Sequence, residues 1–222
     1  MRESAGMRIP PEDPDSVRDA FHVLWYESEP WQRMTWFGVP IQKNPFDLFQ
    51  YQEVLFEQQP DFVIECGAFR GGSTLYFAHL LDHIGHGMVV SVDIADGLVD
   101  QVRRHPRVIT LVGDSISPKI VDSIRCLIPP SSTTMVVLDS DHRADHVLAE
   151  LHAYKDFVQV GNYLIVEDTN INGHPVLRAF GPGPHEAVST FLRQVEGFVI
   201  DSERECKLHF TFAPRGWLRR VS

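Results

Sequence analysis

The sequence predicts an α/β fold built on a mostly parallel, doubly wound sheet with helices on both faces. Three observations carry that prediction. Short apolar runs alternate with helically spaced segments over most of the chain. The run Phe62-Val63-Ile64-Glu65-Cys66 turns through Gly67-Ala68-Phe69-Arg70-Gly71-Gly72-Ser73 directly into a helical segment. Five successive runs end in an acid: Glu65, Asp93, Asp114, Asp139 and the pair Glu167-Asp168. Strands alternating with helices assemble into a parallel sheet, whose ligands sit beyond the carboxyl ends of the strands. One or two strand-terminal acids are ordinary turn formers, but a set at five successive ends marks a site.

Taken in order, residues 1–13 are polar and proline-containing, a lead-in. Asp15 or Ser16 is expected to cap a helix through Val17, Phe21, Val23 and Leu24. Around residues 26–47, Trp25, Tyr26, Trp31, Trp36 and Phe37 fall among Pro30, Gly38, Pro40 and Pro45, too irregular for a regular element. This segment reads as an aromatic flap packed on the core, with Gln42, Lys43 and Asn44 as polar contacts if it also lines a pocket. Phe46 to Glu57 has helical spacing. The strands are then 62–66, 88–94, 108–112, 134–138 and 163–166, with a short helix near 96–104, a helix from Ser117-Pro118 to Leu127, and one carrying Val147, Leu148, Leu151, Tyr154 and Phe157. A loop from Thr169 to Pro184 precedes a helix at Ala187–Val195. Two late strands near 197–201 and 207–213 are expected as an antiparallel edge pair, making seven strands. The reading divides the chain into an N-terminal lead-in, helix and flap (1–58) and one ligand-binding unit (59–222).

The 222 residues are 43% hydrophobic and 23% charged, the composition of a soluble globular protein. A net charge of −10 argues against a nucleic-acid partner. No apolar run approaches a membrane span and no signal-peptide core follows Met1, so no membrane partner and a cytoplasmic location are expected. The three cysteines, Cys66, Cys126 and Cys206, lie far apart, without zinc spacing, and read as buried thiols in a reducing compartment.

The glycine turn favours one nucleotide-type ligand over another. A dinucleotide site would show two glycines one residue apart and a third soon after. Here Glu65 precedes Gly67, and the next glycines are Gly71 and Gly72. An acid in that place suits a ligand with an amino group and a sulfonium centre better than a pyrophosphate. Asp93 is placed to accept hydrogen bonds from ribose hydroxyls, and Asp114-Ser115 to face an adenine amino group. These roles point to S-adenosylmethionine rather than NAD. The expected cofactor-binding residues are Glu65, Gly67, Ala68, Gly71, Gly72, Ser73, Asp93, Asp114, Ser115 and Asp139.

Four further stretches carry a family resemblance: Thr35–Pro45 (Thr-Trp-Phe-Gly-Val-Pro-Ile-Gln-Lys-Asn-Pro), Leu138–His142 (Leu-Asp-Ser-Asp-His), Tyr163–Asn170 (Tyr-Leu-Ile-Val-Glu-Asp-Thr-Asn) and Gly181–Pro184. With them, the chain resembles the cephalosporin hydroxylase/rhamnosyl O-methyltransferase family over about residues 17–219. The resemblance implies a Rossmann-like class I methyltransferase fold. It further implies S-adenosylmethionine-dependent, metal-dependent methylation of sugar hydroxyls on natural products, and symmetric oligomers.

Asp139, Glu167 and Asp168 close neighbouring strands, so their carboxylates should converge. Such a cluster repels itself unless a cation joins it, and Mg²⁺ takes oxygen ligands while leaving positions open. The resemblance implies that this Asp and this Glu-Asp pair are the metal ligands. His142, three residues after Asp139, is suited to take a proton from an attacking hydroxyl, and the resemblance places the general base there. His146 is a weaker substitute, and Asp141 is expected to orient the histidine or reach the metal's outer shell. Gln42, Lys43, Asp141, Asn170 and His174 complete the expected site as acceptor contacts. The expected partner is a small hydroxylated or glycosylated molecule. The alternatives are a phenolic, catecholic or β-lactam-type acceptor, a non-catalytic cofactor-binding protein, and an NAD-type oxidoreductase, which the glycine spacing disfavours.

Overall fold

The computed structural model describes residues 13–222. The N-terminal elements are helix α1 (Pro14–Glu27), a 3₁₀ turn (Pro30–Arg33), a two-residue hairpin of β1 (Thr35–Trp36) and β2 (Val39–Pro40), and helix α2 (Pro45–Gln58). Then follow β3 (Phe62–Cys66), α3 (Gly72–Ile84), β4 (Met88–Asp93), α4 (Asp100–Arg103), β5 (Val108–Val112), α5 (Pro118–Leu127), β6 (Thr134–Leu138), α6 (Ala144–Tyr154) and β7 (Tyr163–Val166). The chain closes with α7 (Pro184–Gln194), β8 (Phe198–Ile200), α8 (Ser202–Cys206) and β9 (Trp217–Arg220).

Seven strands form one sheet in the order β5-β4-β3-β6-β7-β9-β8, parallel from β5 to β7 and antiparallel at β9 and β8. The first strand of the sheet to be made, β3, lies inside it. The chain builds outward to β4 and β5, then returns to lay β6 and β7 on the other side. The reversal between β3 and β6 is the topological switch point, where strand-end loops diverge and leave a crevice.

Alternation along the strands divides the core between two faces. Val63, Val89 and Val137 pack with Tyr51, Leu55 and Phe77 of α2 and α3 on one side. Ile64, Val90 and Val136 pack with Ile124, Leu151 and Phe191 of α5, α6 and α7 on the other. The N-terminal segment thus shares a core with the sheet. Its hairpin sits against the first turn of α3, where a Cβ on Gly72 would collide with the Pro40 carbonyl.

Several elements differ from the sequence expectation, each for a visible reason. The first helix is capped by Asp13, with Pro14 at its first position; Asp13, rather than Asp15 or Ser16, accepts the Asp15 N–H at 3.3 Å. The flap contains the 3₁₀ turn and the hairpin. The helix near 96–104 shortens to Asp100–Arg103. The second late strand lies at Trp217–Arg220, not at 207–213. The alternation that suggested 207–213 is real, but its rings serve as anchors: Phe210 meets Phe21 at 5.1 Å and Phe212 stacks on His22 at 5.4 Å. The Phe212 N–H is spent on Asp47 Oδ2, at 2.7 Å, so it makes no ladder there. Of the cysteines only Cys66 is buried; Cys126 and Cys206 are exposed, and all three are free.

Candidate active site

The glycine turn after β3 is built by close approach of backbones. Gly67 has φ +92°, and a Cβ there would collide with the carbonyl of Asp139, at the end of the adjacent strand. Gly71, at φ +89°, packs on Leu98 and Val102. A residue with a side chain would push β3 and β6 apart at this crossing. A cleft of about 640 Å³ opens above it. Gly67, Ala68, Gly72 and Ser73 line it from the turn, and Asp93, Asp114 and Ser115 from the ends of β4 and β5. Asp139, Asp141, His142, Arg143 and His146 follow β6, and Asp168 follows β7. The flap contributes Tyr26, Trp31, Gln42 and Lys43, and Phe212 closes the far wall.

At the β4–β5 end the acids are oriented by local backbone donors. Asp93 accepts the Phe69 N–H at 2.7 Å and the Ala95 N–H at 2.9 Å. Asp114 accepts the Ile116 N–H at 3.1 Å. Below them Glu150, fully buried on α6, joins two walls: its Oε1 accepts from Ser115 Oγ at 2.5 Å and Ser140 Oγ at 2.6 Å. His146 Nε2 lies 3.3 and 3.2 Å from the same two hydroxyls. Its hydrogen bond to Glu150, outweighing burial, holds its pKa above the ordinary imidazole value.

At the β6–β7 end buried charge dominates. His142 Nε2 lies 2.8 Å from Asp168 Oδ2 and 3.7 Å from Asp139 Oδ1. One ligand-type atom from each of Asp139, His142 and Asp168 falls within 4.8 Å of the others. Burial, then the charges of Glu167 and Asp168, raises the Asp139 pKa well above the carboxylate range despite Lys43. Asp168 is raised by burial and by Glu167, against the pull of His142 and Lys43. Its backbone is left-handed at φ 52°, a strained conformation of the kind that collects at functional sites.

Glu167 stands behind this group. Its Oε1 accepts from Lys43 Nζ at 2.9 Å and from the Tyr51 hydroxyl at 2.5 Å. The same ammonium donates to Asp139 Oδ2 at 2.6 Å. Lys43 is 3% exposed, and although burial alone would favour the neutral amine, Asp139 and Glu167 hold it charged. Asp47, buried on α2, is pushed up to about 8 by burial and by the Glu167 charge.

The structure therefore brings together most of the expected residues and sets some apart. Glu65, Gly71, Glu167, Asn170 and His174 do not line the cleft. Glu65 is sealed beneath the turn, where Oε2 accepts from Thr74 Oγ1 at 2.5 Å and Oε1 has no partner among the described residues. Asn170, expected at the acceptor, is fully buried and bonded to His22 at 2.9 Å. His174, likewise expected there, stacks on His185 at 3.6 Å and bonds Glu186 at 2.9 Å. Asp141 is engaged by Arg143 through its backbone N–H and guanidinium, and that pairing lowers its pKa despite some burial. The residue that orients His142 is Asp168, not Asp141. Asn44 of the flap caps α2 instead of meeting the cleft.

Sequence reasoning took Lys43 for an acceptor contact and did not identify it as the counter-ion of the acid cluster. It also missed Tyr51 and Glu150. For Glu150 a signal existed: it falls on the face of α6 that carries Val147, Leu151 and Tyr154, and an acid on an apolar face needs partners.

The sequence profile of the Rhamnosyl O-methyltransferase/CmcI family matches residues 28–221. The rhamnosyl O-methyltransferase of Mycobacterium leprae is 40% identical over 209 residues, spanning 93% of this chain and 91% of the relative. The rhamnosyl O-methyltransferase of Mycobacterium tuberculosis is 40% identical over 210 residues, 93% of this chain and 86% of that one. Among solved structures, a Mg–SAM complex of CmcI superposes with a TM-score of 0.66 at 20% identity, covering 87% of this chain and 79% of that one. An O-methyltransferase from Bacillus cereus in complex with SAH gives 0.56 at 13% identity, covering 87% and 84%. The sheet order and helix layers described above are those of class I methyltransferases. The chain belongs to the Rhamnosyl O-methyltransferase/CmcI family.

Proposed function

We propose that this protein is an S-adenosylmethionine-dependent, Mg²⁺-dependent O-methyltransferase acting on a hydroxyl of a small natural product, a sugar hydroxyl of the rhamnosyl type. The observation that carries the reading is one continuous cleft with oriented acids at one end and the Asp139–His142–Asp168 group at the other. The rhamnosyl O-methyltransferases, 40% identical over nearly the whole chain, support the sugar acceptor.

S-adenosylmethionine supplies the electrophilic methyl group when bound. Asp93, fixed by two backbone N–H groups, has lone pairs left for ribose hydroxyls, and Asp114 and Ser115 wall the adenine position. Mg²⁺ suits the acid end: two half-buried carboxylates with raised pKa values, beside a third that is buried, favour a hard cation over mutual repulsion. Asp139 and Asp168 would hold it, with Glu167, bonded to Lys43 and Tyr51, standing behind them, and it would lower the pKa of an acceptor hydroxyl. His142 Nε2 lies 2.8 Å from Asp168 Oδ2; in the tautomer that donates from Nε2 to this carboxylate, Nδ1 would be the atom that accepts the hydroxyl proton. Asp168 fixes that tautomer and stabilises the imidazolium that forms. Gln42, exposed at the cleft, and Asp141 are positioned for acceptor contacts.

No helix among the described residues is long and apolar enough to cross a membrane. The exposed thiols Cys126 and Cys206 support a reducing, cytoplasmic setting, and the exposed Phe46, Phe49 and Phe56 of α2 support self-association. The decisive test is incubation with S-adenosylmethionine, Mg²⁺ and a rhamnoside, read by mass spectrometry. A one-methyl gain that is lost in chelator and restored by Mg²⁺ is expected. Calorimetry showing no cofactor binding, or full turnover in chelator, would refute the reading.

A further inference from the structure

The cleft is asymmetric in chemistry as well as in shape. Its wall also includes three aromatic rings, Tyr26 and Trp31 from the N-terminal segment and Phe212 from near the C-terminus. Tyr26 and Trp31 lie 5.5 Å apart at 34°, and Tyr26 meets Phe212 at 5.6 Å and 59°. The corner is fixed: Trp31 Nε1 donates to the Tyr26 carbonyl at 3.2 Å, and Phe212 is held by Asp47. Tyr26 and Trp31 are half-buried, so each keeps part of its ring surface open. Burial, then the charges of Asp168 and Glu29, pushes the Tyr26 phenol up to about 12, so it stays neutral beside the acids. With the nucleoside at the Asp93–Asp114 end, this corner is the part of the cleft left for the acceptor.

We propose that Tyr26 and Trp31, backed by the buried Phe212, form the acceptor subsite and stack against the apolar C–H face of a deoxyhexose ring, leaving its hydroxyls directed at Asp139, His142 and Asp168. The proposal rests on the sugar-methyltransferase reading and deepens it. Aromatic faces against carboxylates suit a ring with one apolar face and a polar edge. A deoxysugar, whose C6 is a methyl group, offers more apolar surface than a fully hydroxylated hexose.

The test uses the full-length protein with S-adenosylhomocysteine, Mg²⁺ and methyl α-L-rhamnoside as the probe. Saturation-transfer NMR with irradiation of aromatic protons should mark the C6 methyl and one ring face most strongly. In turnover assays Trp31→Ala and Tyr26→Leu should raise the rhamnoside KM about ten-fold or more. Cofactor Kd should stay within about two-fold of wild type in both, because neither ring borders the nucleoside end. Trp31→Phe, which keeps a ring, should restore most of the affinity and guards against a folding defect. If the wild type methylates the rhamnoside and both variants keep its KM, the subsite is wrong while the sugar reading stands. If the wild type binds cofactor but neither binds nor methylates any glycoside, the sugar reading fails and this subsite fails with it.

Discussion

The two ends of the cleft are made in opposite ways. At the β4–β5 end, Asp93 and Asp114 are aimed by N–H groups in the adjoining turns, two of the three donated from two residues away in sequence. At the β6–β7 end, Asp139 and Glu167 are tied to Lys43, 96 and 124 residues distant, through an ammonium that is itself buried. The first arrangement is nearly complete once a strand and its turn have formed. The second exists only when the N-terminal segment has docked. The comparison teaches that ligand recognition and catalysis have different structural debts in this fold: local backbone geometry for the one, tertiary assembly for the other.

The sharpest test of that contrast is His142→Ala. It should lower turnover about 10²- to 10⁴-fold, the range of a lost general base, while S-adenosylhomocysteine affinity by calorimetry changes little. Asp168→Asn should lower turnover as well, because the amide orients the imidazole without stabilising its charge. Equal losses of turnover and cofactor affinity would break the division between the ends.

Lys43→Met comes next. It leaves Asp139 and Glu167 as unpaired buried charges, and removing one partner of a buried pair costs about 3–5 kcal/mol. Urea titration should show a loss of that order, partly recovered by saturating Mg²⁺. A variant as stable as wild type in chelator would mean that the ammonium contributes nothing to assembly.

A smaller effect is expected from Glu150→Gln. The amide oxygen can still accept from Ser115 and Ser140, but without the carboxylate's charge, and its NH2 falls where Glu150 Oε2 has no partner among the described residues; a buried donor left unpaired costs about 1–3 kcal/mol. The expected result is a several-fold weaker Kd for S-adenosylhomocysteine with kcat at saturation unchanged. The reverse pattern would assign Glu150 to the acid end.

The smallest effect concerns His22, which takes a hydrogen bond from Asn170, two residues past Asp168. Burial lowers the His22 pKa from 6.5 to about 4. As pH falls through that window the unfolded chain binds the proton first, so the stability that depends on a neutral His22 is present above about 6.5 and is lost toward 4. The slope is at most about 1.4 kcal/mol per pH unit for one proton. His22→Gln should flatten the stability curve of the protein between those pH values. An unchanged curve would place His22 outside the coupling.

Much of the fold was legible because the strands are buried on both faces and end in acids, so apolar runs and their terminators are both visible in sequence. The glycine turn, the parallel strands and the helices after them follow from that pattern. The last strand was misplaced because Leu208, Phe210 and Phe212 alternate like a strand, while Trp217-Leu218 is too short a run to stand out. Asp139, His142 and Asp168 were legible as neighbours because they follow adjacent strands. The Lys43 pairing was not, since nothing local distinguishes a lysine bound for the core from one left in solvent. The bonds of Asn170 to His22 and of His174 to Glu186 were not legible for the same reason: a polar residue in a loop beside a site can as easily be an anchor as a contact.

The crossing of Gly67 over the Asp139 carbonyl has a consequence for how such a protein can change. That contact joins the donor turn to the reacting acids with no slack, so neither end tolerates adjustment there without disturbing the other. Part of the flap shares that constraint, since the Pro40 carbonyl closes on Gly72 and Lys43 bonds Asp139, whereas Tyr26, Trp31 and Gln42 line the cleft from other positions of the same segment. New acceptors are therefore most accessible by rewriting the flap over an unchanged crossing, and a library confined to those three positions is the economical route to altered scope.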